Sequence, residues 1–242
     1  IGVTENALEH AEALVNAGVD VLSVDSAHGN SKKVLDLIAS VKKKFPNIQL
    51  IGGNVAVPEG ALALVKAGVD AVKIGIGPGS ICTTRVIAGI GVPQLTAVYE
   101  CAEALKDTGI PIIADGGIRN IGDVCKGLAC GADSVMLGSL LSGTKESPGE
   151  IEKVGQWPNE KLFKKYRGSA SRDSKGSDKN VEGNHKVIPY KGKTKRILHD
   201  ITDGVRSSFS YVGANNISDY HTLVELVNVT HAGMVEAKPH LL

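Results

Sequence analysis

The sequence predicts an α/β fold built on a parallel sheet with helical crossovers. Three observations carry this. Five apolar runs, near residues 21–24, 48–52, 71–75, 110–114 and 134–138, alternate with helix-like stretches. Such alternation makes neighbouring strands parallel. A four-residue signature recurs as Ala17-Gly18-Val19-Asp20, Ala67-Gly68-Val69-Asp70 and Cys130-Gly131-Ala132-Asp133, closing one helix and opening the next run. Finally, every run ends in a small, polar or glycine-rich loop.

Taken in order, Ile1-Gly2-Val3 reads as the tail of a sixth, earlier strand. Thr4 is placed to cap the first helix, on which Ala7, Ala11, Leu14 and Val15 share a face. Gly18 stops it. Val21-Leu22-Ser23-Val24 ends in Asp25-Ser26-Ala27-His28-Gly29, and Ile48-Gln49-Leu50-Ile51 in Gly52-Gly53-Asn54. Val72-Lys73-Ile74 runs into the loop from Gly75 to Ser80. Ile110-Pro111-Ile112-Ile113 leads to Asp115-Gly116-Gly117, and Ser134-Val135-Met136-Leu137 to Gly138-Ser139. Sites in such sheets lie at the C-terminal strand ends. Five site-like loops in succession point to a (β/α) barrel. A closed barrel has eight strands, so only its last five to six β/α units are expected here. Periodicity leaves an open five-stranded doubly wound sheet as the alternative.

The texture changes from about Gly143. Residues 160–196 hold twelve Lys and Arg against Glu160, Asp173, Asp178 and Glu182, and 167–183 is polar and Gly/Ser-rich. We read about 143–193 as a mobile active-site loop. A helix around 194–207, a short helix near 217–226 and a tail follow. The expected division is a catalytic barrel portion over 1–215 and a C-terminal helix and tail over 216–242.

A length of 242 residues suits one domain with an appendage, and a hydrophobic fraction of 42% excludes wholesale disorder. Lys+Arg 27 against Asp+Glu 26 gives +1, so overall charge does not drive binding to nucleic acid. The basic stretch reads as solvated surface. Only Trp157, Phe163, Tyr166 and Tyr190 interleave with it, too few for base stacking. No signal peptide or membrane-length apolar run is read. The four cysteines, Cys82, Cys101, Cys125 and Cys130, form no C-x-x-C pair, which points to a reducing compartment, the cytosol. Three lie in Ala/Leu/Val-rich helical stretches and read as small buried hydrophobes. Cys82 lies in a loop.

That loop, GIGPGSICTTR from Gly75 to Arg85, is the most informative segment. It is not the dinucleotide fingerprint, which would need glycine at Ser80. Its glycines let the backbone bend and expose amides and carbonyls. Cys82 stands beside Thr83, Thr84 and the cation Arg85. It is either a nucleophile, since an exposed loop near positive charge favours thiolate, or a structural cysteine in a turn. Asp115-Gly116-Gly117 and Gly138-Ser139 lie at adjacent strand ends. Their amides could cradle a phosphate and the carboxylate could accept a ribose diol, which together favour a nucleoside monophosphate. Alone, each reads as a tight turn. Gly192-Lys193-Thr194 is not a phosphate loop, because Val187 stands where its first glycine belongs. Asp25 is a second sugar acceptor or a helix cap. His28 is a base or ligand, or more simply a capping or core histidine.

GIGPGSICTTR, together with DSAHG, IGGNV, IADGGIRN and MLGSLLSGTKESPGE, resembles the IMP dehydrogenase / GMP reductase family from about residue 1 to 215. The resemblance implies a (β/α)8 TIM barrel, here without its first strands, a homotetramer, and a regulatory CBS pair upstream in many dehydrogenases. Both activities use the loop cysteine to attack C2 of the purine. The dehydrogenase oxidises IMP to XMP with NAD and needs a flap bearing an Arg-Tyr pair. No such pair occurs between Tyr166 and Gly183. YRGSASRDSKGSDKNVEG is similar to bacterial-type GMP reductases, as are VIPYKG and VRSSFSYVGA, whereas VIAGIGVPQ looks like a dehydrogenase. The activity so implied is NADPH-dependent reduction of GMP, with IMP dehydrogenase as the alternative. A nucleotide- or RNA-binding module is the non-enzymatic reading. Position by position, the family pattern makes Cys82 the nucleophile and Thr84 with Glu182 the pair that protonates ammonia. Ser80, Asp115, Gly117, Gly138, Ser139 and Tyr166 match the nucleotide site, with Ser169 and Ala170 near the base. Asp25, Ser26 and Asn54 match the nicotinamide-ribose side. The carbonyls of Gly77, Gly79 and Cys82 match a potassium site.

Overall fold

The computed structural model describes residues 1–156, 158–167 and 185–239. Its first part alternates as the sequence predicts: α1 (Ala7–Asn16), β1 (Val21–Asp25), α2 (Lys32–Lys44), β2 (Gln49–Val55), α3 (Pro58–Ala67), β3 (Ala71–Ile74), α4 (Thr84–Ile87), α5 (Gln94–Leu105), β4 (Ile112–Asp115), α6 (Ile121–Ala129) and β5 (Ser134–Met136). The repeated signature has a structural cause. Gly18, Gly68 and Gly131 have φ of 87°, 103° and 99°, the left-handed turn that ends a helix. In the second and third copies the aspartate two residues on stitches the unit to the preceding strand. Asp70 Oδ2 accepts from the Leu50 N–H at 2.7 Å and from Lys42 Nζ at 2.8 Å. Asp133 Oδ2 accepts from the Ile112 N–H at 2.7 Å.

All five strands are parallel and their spatial order is β1-β2-β3-β4-β5. A doubly wound sheet reverses its strand order part-way, and this one does not. Helices α1, α2, α3, α5 and α6 each pack on the next in a single layer. The sheet also curls. Along a flat sheet β1 and β4 would be about 14 Å apart, three spacings of ~4.8 Å. Yet the Lys73 ammonium on β3 contacts Asp25 at the end of β1 and Asp115 at the end of β4. This is the arc of a barrel, and the doubly wound alternative falls.

The main core lies between sheet and helices. Strand residues Leu22, Val24, Leu50, Val72 and Ile74 meet helix residues Val34, Ile38, Val41, Leu64, Val98 and Cys101, all buried. On α2 the buried positions 34, 37, 38 and 41 follow the helical period, with Lys32, Lys33, Lys43 and Lys44 exposed on the outer side. Cys101 and Cys130 are buried and Cys125 half-buried, its Sγ on the Gly204 carbonyl at 3.8 Å. No helix among the described residues is long and apolar enough to cross a membrane.

Several expectations are corrected. Thr4 does not cap α1 with its side chain; its backbone carbonyl accepts from the Ala7 N–H, and Asn6 takes the capping position. The segment after Gly143 contains a three-stranded antiparallel sheet, β6 (Glu152–Val154), β7 (Lys161–Arg167) and β8 (His185–Pro189), in the order β6-β7-β8. Its lysines masked a period-two pattern that puts Leu162, Lys164 and Tyr166 on one face. Nor is the basic stretch all solvated. Lys164 is buried, and its ammonium donates to the carbonyls of Thr144 at 3.0 Å and Ser147 at 2.5 Å. Helix α7 (Thr194–Val212) runs longer than its predicted end, α8 (Ile217–Leu223) is shorter, and α9 (His231–Glu236) follows. Tyr220 of α8 stacks on Phe209 of α7, with ring centroids 4.3 Å apart, and both pack against α6.

Candidate active site

Loops after β3, β4 and β5 and the end of β7 enclose a cavity of about 550 Å³. Ser80 and Cys82 line it from the first loop, Asp115 and Gly117 from the second, Gly138 and Ser139 from the third, and Tyr166 from β7. Seven of the residues singled out in the sequence thus come together. Close approach of backbone makes this possible. A side chain at Gly138 would stand 3.1 Å from the Tyr166 hydroxyl, and one at Gly116 would strike Pro78. A second cavity, about 370 Å³ beside Tyr99, Pro111, Asp133 and His221, lies at the opposite strand ends and collects none of these residues.

Cys82 is half-buried, with Sγ 3.2 Å from Thr84 Oγ1 and its N–H on the Gly79 carbonyl at 3.1 Å. Burial pushes the Cys101 thiol up to about 12 and raises that of Cys130. Those two are held as neutral thiols, away from the cavity. Adjacency in the sequence predicts Arg85 as the cation beside the thiol. In the structure its guanidinium instead staples the loop, donating to the carbonyls of Ile76 at 3.4 Å and Val92 at 2.5 Å. Gly77, with φ of 80°, is needed there, since a Cβ would lie 2.6 Å from Arg85 Cγ.

Behind Asp115 lies a polar cluster centred on Lys73, a residue the sequence reading passed over. Alternation sends Val72 and Ile74 to the helix layer and Lys73 to the opposite face. It is 2% exposed. Its Nζ donates to Asp115 Oδ2 at 2.5 Å and to Asp25 Oδ1 at 3.3 Å. Asn54 Nδ2 donates to the same Asp115 Oδ2 at 2.9 Å and to the Gly75 carbonyl at 2.7 Å. Gln94 Nε2 holds the backbone of this region through the carbonyls of Ile74 and Asp115. The signal was present in the sequence, as one charge inside a four-residue apolar strand.

Asp25, Ser26 and the buried Asn54 lie together at the ends of β1 and β2, joined to Asp115 of the cavity wall through Lys73 and through Asn54 itself. The Ser26 hydroxyl accepts from the His28 N–H at 3.3 Å. His28 itself is exposed, neither in the core nor in the cavity. Arg119 and Arg167, also missed, add positive charge to the cavity wall. Arg119 pairs with Asp123 at 3.0 Å. Burial alone would raise the Asp123 carboxyl, but hydrogen bonds from Arg119 hold it below the usual carboxylate range. Lys191 fastens the third loop through the carbonyls of Ser139 at 2.6 Å and Leu140 at 3.2 Å, and burial lowers its ammonium. Glu182, Ser169 and Ala170 lie outside the described residues, as does Trp157.

The cavity therefore sets a thiol beside a hydroxyl, opposite a carboxylate, glycine amides and a phenol. Comparison with known proteins points the same way. The sequence matches the family described as "IMP dehydrogenase / GMP reductase domain" over residues 1–240. It is 47% identical to an inosine-5'-monophosphate dehydrogenase of Chlorobaculum tepidum, over 99% of this chain and 51% of the relative. It is 49% identical to that of Escherichia coli K12, over 96% and 50%. The fold superposes with a TM-score of 0.93 and 38% identity on the crystal structure of a Cys-to-Ala variant of GMP reductase from Trypanosoma brucei, in complex with guanosine 5'-monophosphate. That match covers 100% of this chain and 52% of the other. The chain spans about half the length of the relatives it matches. By sequence and by fold, it belongs to the IMP dehydrogenase / GMP reductase family.

Proposed function

We propose that this chain carries the active site of a GMP reductase, which converts GMP to IMP and ammonia with NADPH. The observation that carries the reading is one cavity holding the Cys82 thiol together with Asp115, Gly117, Ser139 and Tyr166. Asp115 accepts the ribose hydroxyls, and the amides at Gly117, Gly138 and Ser139 hold the phosphate with Ser80 and Tyr166. This grip sets C2 of the base against Cys82. The Sγ–C2 bond forms as the thiol gives up its proton, for which Thr84 Oγ1 at 3.2 Å is the proposed relay. The 2-amino group takes a proton and leaves as ammonia when the C2–N bond breaks. Glu182 is the proposed acid for that transfer, with Thr84. When bound, the dinucleotide supplies a hydride to C2. The C2–S bond then breaks, returning Cys82 as thiolate.

The residues present fit a nicotinamide. Asn54 is buried and its Oδ1 has no partner among the described residues, an acceptor suited to a carboxamide N–H. Asn54 would hold the ring side, and Asp25 and Ser26 the ribose. Potassium fits less well. Gly77, Gly79 and Cys82 bring three carbonyls from one loop, and that of Gly79 already accepts from Cys82 N–H. Three oxygens do not complete an alkali cation's shell, so no step is routed through it.

The proposed assembly is a homotetramer; the exposed apolar residues Val86, Ile87 and Ile90 beside the cysteine loop support a face covered by another copy, without fixing the number of copies. Four unpaired thiols support the cytosol. IMP dehydrogenase is the second reading, favoured by the names of relatives 47–49% identical. The missing Arg-Tyr pair between Tyr166 and Gly183 speaks for the reductase. The test is to incubate the full-length protein with GMP plus NADPH, and separately with IMP plus NAD. Consumption of NADPH with GMP is expected; turnover of IMP alone refutes the assignment.

A further inference from the structure

Lys73 presents a physical problem. An ammonium 2% exposed loses its hydration, a cost that ion pairing only partly offsets, and an apolar side chain of the same length would pack there without that cost. Its place is specially made. Gly53 on the neighbouring strand has no side chain, and a Cβ there would lie 2.8 Å from Lys73 Cβ. The ammonium is shielded from the cavity, so it acts through another group.

That group is Asp115. Both side-chain donors behind it, Lys73 Nζ and Asn54 Nδ2, land on the same oxygen, Oδ2. A carboxylate held through one oxygen has its plane fixed, leaving Oδ1 for a ligand in the cavity that Asp115 lines. Unheld, the group turns about a soft, two-fold torsion. The charge matters as well. Asp25 and Asp115 share the single cation, so the cluster carries a net −1. Without Lys73 it would carry −2 beside a site for an anionic nucleotide, and repulsion in this partly desolvated place is screened little.

We infer that Lys73 is a positioning residue for ribose recognition: it orients the Asp115 carboxylate so that the cavity selects a ribonucleotide. This rests on the reading of Asp115 as the acceptor of the ribose hydroxyls. The experiment separates the two. Binding of GMP and of 2'-deoxy-GMP is measured by calorimetry on the full-length protein and on D115N, K73M and K73M/D115N. The wild type should prefer GMP about 10-fold or more, since a site built to bond a hydroxyl rejects the analogue that lacks it. D115N should abolish that preference, K73M should reduce it to within about 3-fold, and the double variant should be no worse than D115N, as for residues acting as one unit. A merely structural lysine would weaken both ligands alike and keep the ratio. If D115N retains the preference, the reading of Asp115 fails. If D115N loses it while folded K73M keeps it, the inference about Lys73 is overturned. Should K73M not fold, by circular dichroism, K73Q takes its place; failure of both to fold assigns Lys73 to structure alone and also overturns the inference.

Discussion

In a Cys82→Ala variant the chain loses one sulfur atom and little else. The thiol is half-buried and its Sγ hydrogen-bonds Thr84 Oγ1 at 3.2 Å. The loop around it is held by other contacts: the Arg85 guanidinium on two carbonyls and the Cys82 N–H on the Gly79 carbonyl, which alanine keeps. The stability cost should therefore be about 1 kcal/mol or less, the transfer of one small, partly exposed group. The remaining wall of the cavity, Asp115, Gly117, Ser139 and Tyr166, is untouched. GMP affinity should then change by less than about 5-fold, roughly 1 kcal/mol. Turnover should fall on the order of 10⁴-fold or more, the scale seen when a covalent nucleophile is removed. The assay pairs calorimetric titration of GMP with NADPH absorbance under saturating substrate. Turnover within about 10-fold of wild type would show that no bond to Cys82 is needed. Loss of GMP binding in a folded variant would show that the sulfur serves the ground state rather than the reaction.

Two further outcomes follow from the geometry. Asp70→Ala removes the acceptor of the Leu50 N–H and the partner of Lys42, both partly buried, and should cost about 1–3 kcal/mol in urea unfolding; an unchanged midpoint would refute the stitching role. The pH dependence of stability follows from burial of Cys101. Its folded thiol titrates at about 12 against an ordinary 9.0, so the unfolded chain releases that proton first. Stability from this site is fully present below about pH 9 and is lost as pH rises toward 12. Cys101→Ala should flatten that part of a thermal-melting profile; an identical alkaline decline in the variant would assign it elsewhere.

Legibility of the site in the sequence divides by distance along the chain. The cysteine loop, Asp115-Gly116-Gly117 and Gly138-Ser139 were readable because glycines and small polar residues at strand ends have local consequences for the backbone. Lys73 and Lys164 were not. A lysine is read as solvated unless something shows where its ammonium ends. For Lys73 the answer comes from Asp25 and Asp115, 48 and 42 residues away. For Lys164 it comes from carbonyls near Thr144, across a turn and an antiparallel strand. Arg85 erred the other way: adjacency to Cys82 suggested an electrostatic partner, while the fold spends its donors on Ile76 and Val92.

The sequence by itself determined the β/α alternation, the helix stops and the loops that face the site, because hydrophobic period and the left-handed freedom of glycine act within a few residues. It also determined the family, through an eleven-residue loop that few other sites would need. Only the tertiary structure decided that the sheet curls rather than lies open, and that β7 brings Tyr166 to the cavity. It alone placed one buried ammonium between two aspartates. Those outcomes depend on groups far apart in sequence, and no local preference records which of them will meet once water is excluded.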